Sequence, residues 1–222
     1  MFHTQGIVLK KNIHREFNEI FVVYTKDSGK IEIMGRGTKK PLAKLASHLQ
    51  IFDLVDIEFV LGKKFKTLTG ANLIKNTGVS AARISFFDFL DDIIGPDDVD
   101  ESIWNLILDF ISQDTDSLTN SFFKFCLISL AGFSPDLRNC NSCKRTLKEK
   151  DHFFSFKERG IICGNCALKN DSMAFPILSS TIKIMRVFKK QNKDLMMKLK
   201  LSKKELNDLE RTLEYLKNLV LY

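Results

Sequence analysis

Short runs of alternating apolar and polar residues fill the first 76 positions, and this alternation predicts β-strands. In the clearest run, 53–61, Val55, Ile57 and Phe59 lie on one face and Asp56 and Glu58 on the other. The other predicted strands are 6–11, 19–25, 30–37 and 68–75. Five short strands separated by turn residues predict a small closed or partly closed barrel. The number of strands by itself fits an OB-like or an SH3-like barrel.

After Gly78 the apolar positions recur with a period of 3.6, which predicts helices. Helices are expected at 82–94, 102–113, 117–130 and 179–190, with a further turn or two at 42–50. A last helix follows the capping box Ser-Lys-Lys-Glu at 202–205, and residues 134–175 are expected to be irregular. The predicted fold class is therefore α+β: a five-stranded OB-like β-barrel at 1–79, followed by a helical domain at 80–222.

Two Cys-x-x-Cys motifs interrupt the helical part of the chain. Cys140 and Cys143 form the first, and Cys163 and Cys166 form the second after 19 intervening residues. Each motif can present two thiolates to one ion, and two motifs complete the tetrahedral four-cysteine site that zinc prefers. The intervening residues leave room for a hairpin that brings the motifs together. We therefore predict a zinc-binding insertion at about 137–175, with Zn²⁺ as a structural cofactor because four thiolates leave no open coordination position.

Other uses of these cysteines stay open at this point, namely two disulfides, a redox dithiol or buried thiols. The chain has five cysteines, an odd number, and its first residues lack a secretory signal, which together argue against disulfides. A thioredoxin-type dithiol needs one motif at a strand–helix junction rather than two motifs in a loop. The fifth cysteine, Cys126, falls in an apolar helical stripe and is predicted to be a core residue.

The charge is distributed unevenly along the chain. The net charge of +7 divides into +6 over 1–80, −8 over 81–139 and +9 over 140–222. This distribution favours an anionic partner, with nucleic acid as the leading candidate, although a solvated surface gives the same counts. The segment GRGTKKPLAKL at 35–45 holds four basic residues and no acidic one, so it is either a solvated loop or a contact to an anion. No apolar run approaches the length that crosses a bilayer, and we expect a cytoplasmic protein without a membrane partner.

No catalytic constellation stands out. The four histidines form no HExxH motif, and the glycines at 35–37 lack the further glycine of a dinucleotide-binding loop. The acidic cluster at 91–100 fails the spacing of an EF-hand, so a solvated helix end is the simpler interpretation. We predict a binding protein that is not an enzyme and has no small-molecule substrate. A magnesium-dependent hydrolase that uses Asp97 and Asp98 is kept as an alternative.

With these features in hand, the chain resembles the RecO family of bacterial recombination mediators. The matching stretches are GIVLKK at 6–11, DSGKIEIMGRGTKKPLAKLASHLQIF at 27–52, AGFSPDLRNCNSC at 131–143 and FFSFKERGIICGNC at 153–166. The last two join a Gly-Phe-x-Pro-x-Leu lead to the cysteine motifs. The resemblance spans nearly the whole chain and is weakest over 80–125 and 180–222. One departure is Lys144, where a glycine commonly follows the second cysteine.

The resemblance implies an N-terminal OB domain, a helical C-terminal domain with an embedded zinc motif, and no catalytic turnover. It implies a role in DNA repair, recombination and the DNA damage response, through binding of single- and double-stranded DNA and annealing of complementary strands. Implied partners are RecR, with which the family loads RecA, the C-terminal tail of single-stranded-DNA-binding protein (SSB), and RecF as a further candidate. The implied location is cytoplasmic and nucleoid-associated. The alternative is an RNA-binding OB and zinc-ribbon factor of translation or transcription.

The resemblance also implies where DNA binds. The family's basic residues in the loop after the third strand map onto Arg36, Lys39, Lys40 and Lys44. Residues of this kind are more often solvated than bound, but we include a second group of candidate contacts: Lys10, Lys11, Arg15, Lys63, Lys64 and Lys66. The SSB tail is acidic and ends in an apolar residue, so we expect a basic-rimmed apolar pocket for it, with Arg186, Lys189 and Lys190 as candidates.

Overall fold

The chain folds into two compact units, Met1–Asp114 and Thr115–Tyr222. The computed structural model describes residues 1–14, 16–39, 48–113, 116–148, 150–171, 173–191, 195–196 and 198–221. Most of the helical turn predicted at 42–50 lies outside these residues. Our division into domains at residue 79 stays a prediction, and the two helices that follow the barrel are grouped with it in the first unit. Within the described residues, no helix is both long and apolar enough to cross a membrane.

The first unit opens with a closed barrel of five strands. They are β1 (Phe2–His14), β2 (Asn18–Thr25), β3 (Gly29–Gly35), β4 (Leu54–Leu61) and β5 (Lys66–Lys75). Their order around the barrel is β1-β2-β3-β5-β4, and β1 pairs with β4 to close it. The pairing of β3 with β5 is parallel, and the pairings between the other neighbours are antiparallel. This arrangement is that of an OB fold, and the predicted OB-like barrel is confirmed.

The predicted alternation places one face of each strand inside the barrel. In β4, Val55 and Ile57 are fully buried and Phe59 is 1% exposed. A bulge in β1 between Val8 and Lys10 lets this long strand bend while pairing with both β2 and β4. The barrel core consists of Val8, Phe21, Val23, Ile31, Ile33, Leu49, Val55, Ile57, Phe59, Leu68 and Ala71.

Two helices, α1 (Ala81–Ile93) and α2 (Glu101–Ile111), complete the first unit. The carboxylate of Asp100 caps α2 by accepting hydrogen bonds from two backbone amides of its first turn. The rings of Phe86 in α1 and Phe110 in α2 lie with their centroids 4.0 Å apart, so an aromatic contact joins the two helices. Both helices were predicted from their apolar period, and both are present.

The second unit combines helices with short strands. Its described elements are α3 (Ser117–Leu130), β6 (His152–Ser155), β7 (Gly160–Cys163), α4 (Gly164–Asn170), β8 (Phe175–Ile177), α5 (Ser179–Lys189) and α6 (Lys203–Leu221). Phe122 of α3 packs edge-on against Phe188 of α5, with ring centroids 5.4 Å apart. Cys126 is buried in α3, which confirms its predicted place in the core.

The predicted capping box is present at the start of α6. The amide of Glu205 donates to the Ser202 hydroxyl at 3.3 Å, and the amide of Ser202 donates to the Glu205 carboxylate at 2.9 Å. Further along α6, the buried carboxylate of Asp208 accepts hydrogen bonds from the Thr181 hydroxyl at 2.6 Å and the Leu178 amide at 2.9 Å. These bonds join α6 to the start of α5.

Residues 134–175 are more regular than we predicted. They contain most of a three-stranded sheet in the order β7-β6-β8, together with the short helix α4. The strands are only three or four residues long, so the alternation of apolar and polar residues that indicates a strand cannot be recognised in the sequence. The β6–β7 pairing is the hairpin that we expected between the cysteine motifs.

Candidate metal centre and nucleic-acid interface

The structure brings together the four cysteines predicted as metal ligands. The Sγ atoms of Cys140, Cys143, Cys163 and Cys166 all lie within 4.8 Å of one another, and those of Cys143 and Cys163 are 3.9 Å apart. A tetrahedral site with zinc–sulfur bonds of about 2.3 Å has sulfur atoms about 3.8 Å apart, so these side chains fit one four-coordinate ion. No other cluster of three or more His, Cys, Asp or Glu side chains in the described part of the chain is close enough to share an ion.

The first cysteine motif lies on a tight turn. The amide of Lys144 donates to the carbonyl oxygen of Cys140 at 2.9 Å, and the amide of Cys140 donates to the carbonyl oxygen of Arg145 at 2.8 Å. Lys144 therefore adopts a φ of +60°, a left-handed conformation that glycine takes at no steric cost. The departure from glycine at this position is thus accommodated by backbone strain, and the turn still forms.

The second motif joins the β6–β7 hairpin to α4. Cys163 ends β7 and stands immediately before α4, and Cys166 lies in the first turn of this helix. The amide of Cys163 donates to the sulfur of Cys140 at 3.3 Å, so a hydrogen bond joins the second motif to the first. Because the hairpin reverses the chain, motifs separated by 19 residues in the sequence meet at one point.

Two of the four thiols, those of Cys143 and Cys166, have pKa values shifted in opposite directions. A hydrogen bond from the backbone of Arg145, supported by neighbouring thiols and by the Arg145 side chain, lowers the pKa of Cys143 to about 6. Burial, followed by the neighbouring thiols, raises the pKa of Cys166 to about 12. A bound cation would offset the cost of the additional thiolates, since a coordinated thiol loses its proton. The set of ligands is therefore suited to a divalent cation that prefers sulfur.

The turn after β3 carries two of the DNA contacts implied for this loop. Arg36 and Lys39 are exposed on it. Gly37 between them has a φ of +66°, which explains the need for glycine in this turn. The other two implied contacts, Lys40 and Lys44, lie outside the described residues.

An open cleft of about 570 Å³, here called the barrel cleft, lies at this end of the barrel. Its walls come from the β1–β2 turn, the end of β3 and the β4–β5 hairpin, and its side chains include His14, Arg36, Lys63, Lys64 and Phe65. The three cations are exposed, and none makes a salt bridge with another described residue. The half-buried ring of Phe65 meets His14 with centroids 5.7 Å apart. OB folds bind oligonucleotides on the face between these same loops.

Three of the second-group lysines are already paired within the chain. The pairs are Lys10 with Asp91 at 2.5 Å, Lys11 with Glu19 at 3.6 Å, and Lys66 with Asp97 at 3.0 Å. DNA therefore reaches these ammonium groups only in competition with a carboxylate. Arg15, the remaining member of this group, lies outside the described residues.

Asp91 is the centre of an ion-pair cluster that joins α1 to the barrel. Besides Lys10, it accepts a hydrogen bond from Lys30 at 3.1 Å. Burial by itself would raise the pKa of Asp91, but the two ammonium groups outweigh it and lower the pKa below its ordinary value. This carboxylate is 13% exposed, so the interpretation of the acidic cluster as a solvated helix end is wrong at this residue. Sequence reasoning missed Lys30 because its partner is 61 residues away.

A second open cleft, of about 610 Å³, lies between β8 and the start of α6 and is here called the β8–α6 cleft. Pro176, Ile177 and Leu178 line one wall, and Lys203 and Lys204 contribute positive charge to the other. Arg211 also lines the cleft but is paired with Asp208 at 2.5 Å. Arg186, which we expected in such a pocket, instead donates two hydrogen bonds to the carbonyl oxygen of Leu137, at 3.0 and 2.6 Å. Its guanidinium is thus engaged in the fold.

Comparisons with known proteins agree on one family. The family model described as "Recombination protein O N terminal" matches residues 1–77, and "Recombination protein O C terminal" matches residues 105–220. A protein named "DNA repair protein RecO" from Dehalococcoides mccartyi is 24% identical over 221 residues, which cover 94% of this chain and 86% of the relative. The protein of the same name from Halalkalibacterium halodurans is 29% identical over 201 residues, covering 85% of this chain and 78% of the relative. The protein of this name from Listeria welshimeri is 26% identical over 199 residues, which cover 85% of this chain and 77% of the relative.

Proposed function

The chain belongs to the RecO family of DNA repair proteins, and we propose that it acts in recombination as a strand-annealing mediator and not as an enzyme. In this proposal it binds single- and double-stranded DNA, anneals complementary strands, including strands coated by SSB, and assists RecA loading together with RecR. RecF is a further candidate partner. The protein acts in the cytoplasm at the nucleoid, without a membrane partner or a small-molecule substrate.

The observation that carries this proposal is the barrel cleft. It places three exposed cations and one aromatic ring between the loops with which OB folds bind oligonucleotides. Arginine and lysine side chains can follow the phosphates of a single strand, and a base can stack on Phe65 without being read. The cleft therefore suits a single strand of any sequence.

Annealing follows from the same arrangement. A protein that holds the sugar–phosphate backbone leaves the Watson–Crick edges of the bases free. Complementarity between two held strands then decides which strands pair, and the protein needs no chemical step. Of the acidic side chains that could have suggested a magnesium site, Asp91 and Asp97 are in ion pairs and Asp100 caps a helix.

We propose that the ion held by the four cysteines is Zn²⁺ and that its role is structural. All four positions of a tetrahedral zinc ion are taken by thiolates, so none is left for water or substrate. The ion would join the first turn, the β6–β7 hairpin and the start of α4 through Cys140, Cys143, Cys163 and Cys166. Small zinc modules gain about 10 kcal/mol or more of folding free energy from the metal.

We propose the β8–α6 cleft as the place where the SSB tail docks. An acidic segment that ends in an apolar residue needs an apolar wall and basic side chains at the rim. Pro176 and Ile177 supply the wall, and Lys203 and Lys204 supply the charge. Charge reversal by Lys203→Glu and Lys204→Glu is expected to abolish capture of the protein by an immobilised SSB tail peptide, and unchanged capture would place the tail elsewhere.

The DNA assignment is tested by titrating a fluorescently labelled oligothymidylate at several salt concentrations. Each phosphate neutralised on a single strand contributes about −0.7 to the slope of log K against log salt, so the variant Arg36→Ala, Lys63→Ala, Lys64→Ala should lose a slope of about 2.1. An unlabelled structured RNA serves as competitor. Displacement of the DNA by an equal amount of RNA would favour an RNA-binding factor instead, and an unchanged slope in the variant would remove the barrel cleft from the interface.

A further inference from the structure

A second basic cleft lies beside the four cysteines, in the second compact unit. It has a volume of about 410 Å³ and opens between the segment after the first cysteine motif, strand β6 and the start of α4. We call it the module cleft. Its side chains include Arg145, Lys148, Lys150, Phe153 and Leu168. None of them is among the DNA contacts suggested by the sequence.

Two lysines of the module cleft are available to a ligand. Lys148 and Lys150 are exposed, and neither makes a salt bridge with another described residue. Arg145 interacts with the Cys143 sulfur, which raises the pKa of its guanidinium. Asp151 and Cys163 also line the cleft, so the cations left for a ligand among the described residues are the two lysines, against one carboxylate. Glu149 lies outside the described residues.

An aromatic ring faces the same cleft. Along β6, His152 and Phe154 are 5% and 0% exposed and belong to the inner face of the sheet. Since side chains alternate along a strand, Phe153 lies on the opposite face, where it lines the cleft and is half-buried. Beside it, Leu168 of α4 is 85% exposed. The cleft thus repeats the combination found in the barrel cleft, unpaired lysines next to an accessible ring.

We propose that the module cleft binds single-stranded DNA and that it holds a strand separate from the one in the barrel cleft. Lysines at two positions of one short segment can contact consecutive phosphates, and a base between them can stack on Phe153. A duplex keeps its bases stacked inside and offers no ring to this side chain, so a single strand is the form that uses the whole cleft. This inference rests on the proposed function, because it takes the same class of ligand.

Two separate sites would give annealing a physical basis within one chain. When both strands are held by one molecule, the encounter between them is intramolecular and proceeds at the effective concentration set by the protein. A chain with a single site would need two protein molecules to meet. The segment that holds the four cysteines then has a role in DNA binding as well as in stabilising the fold.

The test counts bound strands on the full-length, zinc-loaded protein. A labelled oligothymidylate of about 12 nucleotides, within the site size of one OB fold, is titrated at a protein concentration far above the dissociation constant. Four proteins are compared: the wild type, the module variant Lys148→Glu/Lys150→Glu, the barrel variant Arg36→Glu/Lys63→Glu/Lys64→Glu, and a control. The control, Lys198→Glu/Lys200→Glu, reverses two exposed lysines of the same unit at the same spacing and changes the net charge as much as the module variant does. Zinc content is measured for each protein, to show that the cysteine site is intact.

We expect two strands per chain for the wild type and the control, and one for the module variant and for the barrel variant. If the wild type binds only one strand, and only the barrel variant loses it, the inference is overturned and the proposed function still stands. A module variant that still binds two strands would overturn it as well, and is the result expected if this cleft instead takes an acidic peptide. Absence of binding by the wild type would contradict the proposed function itself.

Discussion

Single residues in the barrel unit divide into those that the fold already uses and those that it leaves to a ligand. Lys10 is paired with Asp91, whereas Arg36, Lys63 and Lys64 point into the barrel cleft without a salt bridge among the described residues. Gly35 belongs to the first group, because a Cβ there would lie 2.6 Å from a side-chain atom of Thr38. The density of basic residues in the sequence did not separate these roles, since pairing depends on tertiary contacts.

Lys144 offers a test of the strain in the first cysteine turn. Its φ of +60° costs a non-glycine residue about 1 kcal/mol, so Lys144→Gly should raise the free energy of unfolding of the metal-bound protein by about that amount. Urea denaturation of both proteins at saturating zinc measures the difference. Lys148→Gly is a suitable control, because Lys148 is not among the residues with positive φ. Equal destabilisation by both substitutions would contradict the assigned strain.

At the scale of elements, the strands and long helices could be predicted from the sequence because their apolar periods extend over many residues. β1 is longer than predicted, Phe2–His14 in place of 6–11, since its first residues pair with β4 and this pairing leaves no mark on local alternation. The short strands β6, β7 and β8 lack a readable period. The four-cysteine cluster was predictable because its ligands follow a fixed spacing. The sequence suggested the charged residues of the barrel cleft individually, and only the structure shows that they line one cleft.

The contact between α1 and the barrel predicts a pH dependence of stability. Asp91 has a lowered pKa in the folded protein, so its ion pairs with Lys10 and Lys30 contribute stability above the unfolded pKa of about 4, and this contribution is lost as the pH falls through the folded value. The difference in unfolding free energy between the wild type and Asp91→Asn should therefore shrink between pH 5 and pH 2, by about 1.4 kcal/mol for each unit by which the pKa is lowered. Urea denaturation at each pH measures it. If the difference in unfolding free energy stays constant between pH 5 and pH 2, the ion pairs of Asp91 do not stabilise the folded protein.

Metal removal tests the role of the cysteine module as an element. Chelation should expose the segment around the four cysteines, which contains several lysines and arginines, to cleavage by trypsin. Trp104, the single tryptophan, is buried in α2 of the first unit, so its fluorescence reports whether the effect of chelation reaches beyond the cysteine segment. Cys140→Ser should be cleaved without chelator, whereas Cys126→Ser should need the chelator as the wild type does. Resistance of the chelated wild type to trypsin would argue against a structural metal.

At the scale of the whole molecule, we infer a nucleic-acid surface on each compact unit. The barrel cleft belongs to Met1–Asp114 and the module cleft to Thr115–Tyr222. The division of charge along the sequence indicated two basic regions separated by an acidic one. Part of the negative charge of the acidic region is neutralised within the fold, because Asp91 and Asp97 form salt bridges with lysines of the barrel. A function that needs two DNA strands at once matches this distribution.

Strand annealing through the barrel cleft is tested most directly by one measurement. Two complementary oligonucleotides, one with a fluorophore and one with a quencher, are each coated with SSB and mixed with the zinc-loaded protein. We predict rapid quenching that slows steeply with added salt. The variant Arg36→Glu/Lys63→Glu/Lys64→Glu should lose most of this acceleration. The control Lys198→Glu/Lys200→Glu should behave as the wild type does. No acceleration by the folded wild type, or equal acceleration by the barrel variant, would contradict annealing through this cleft.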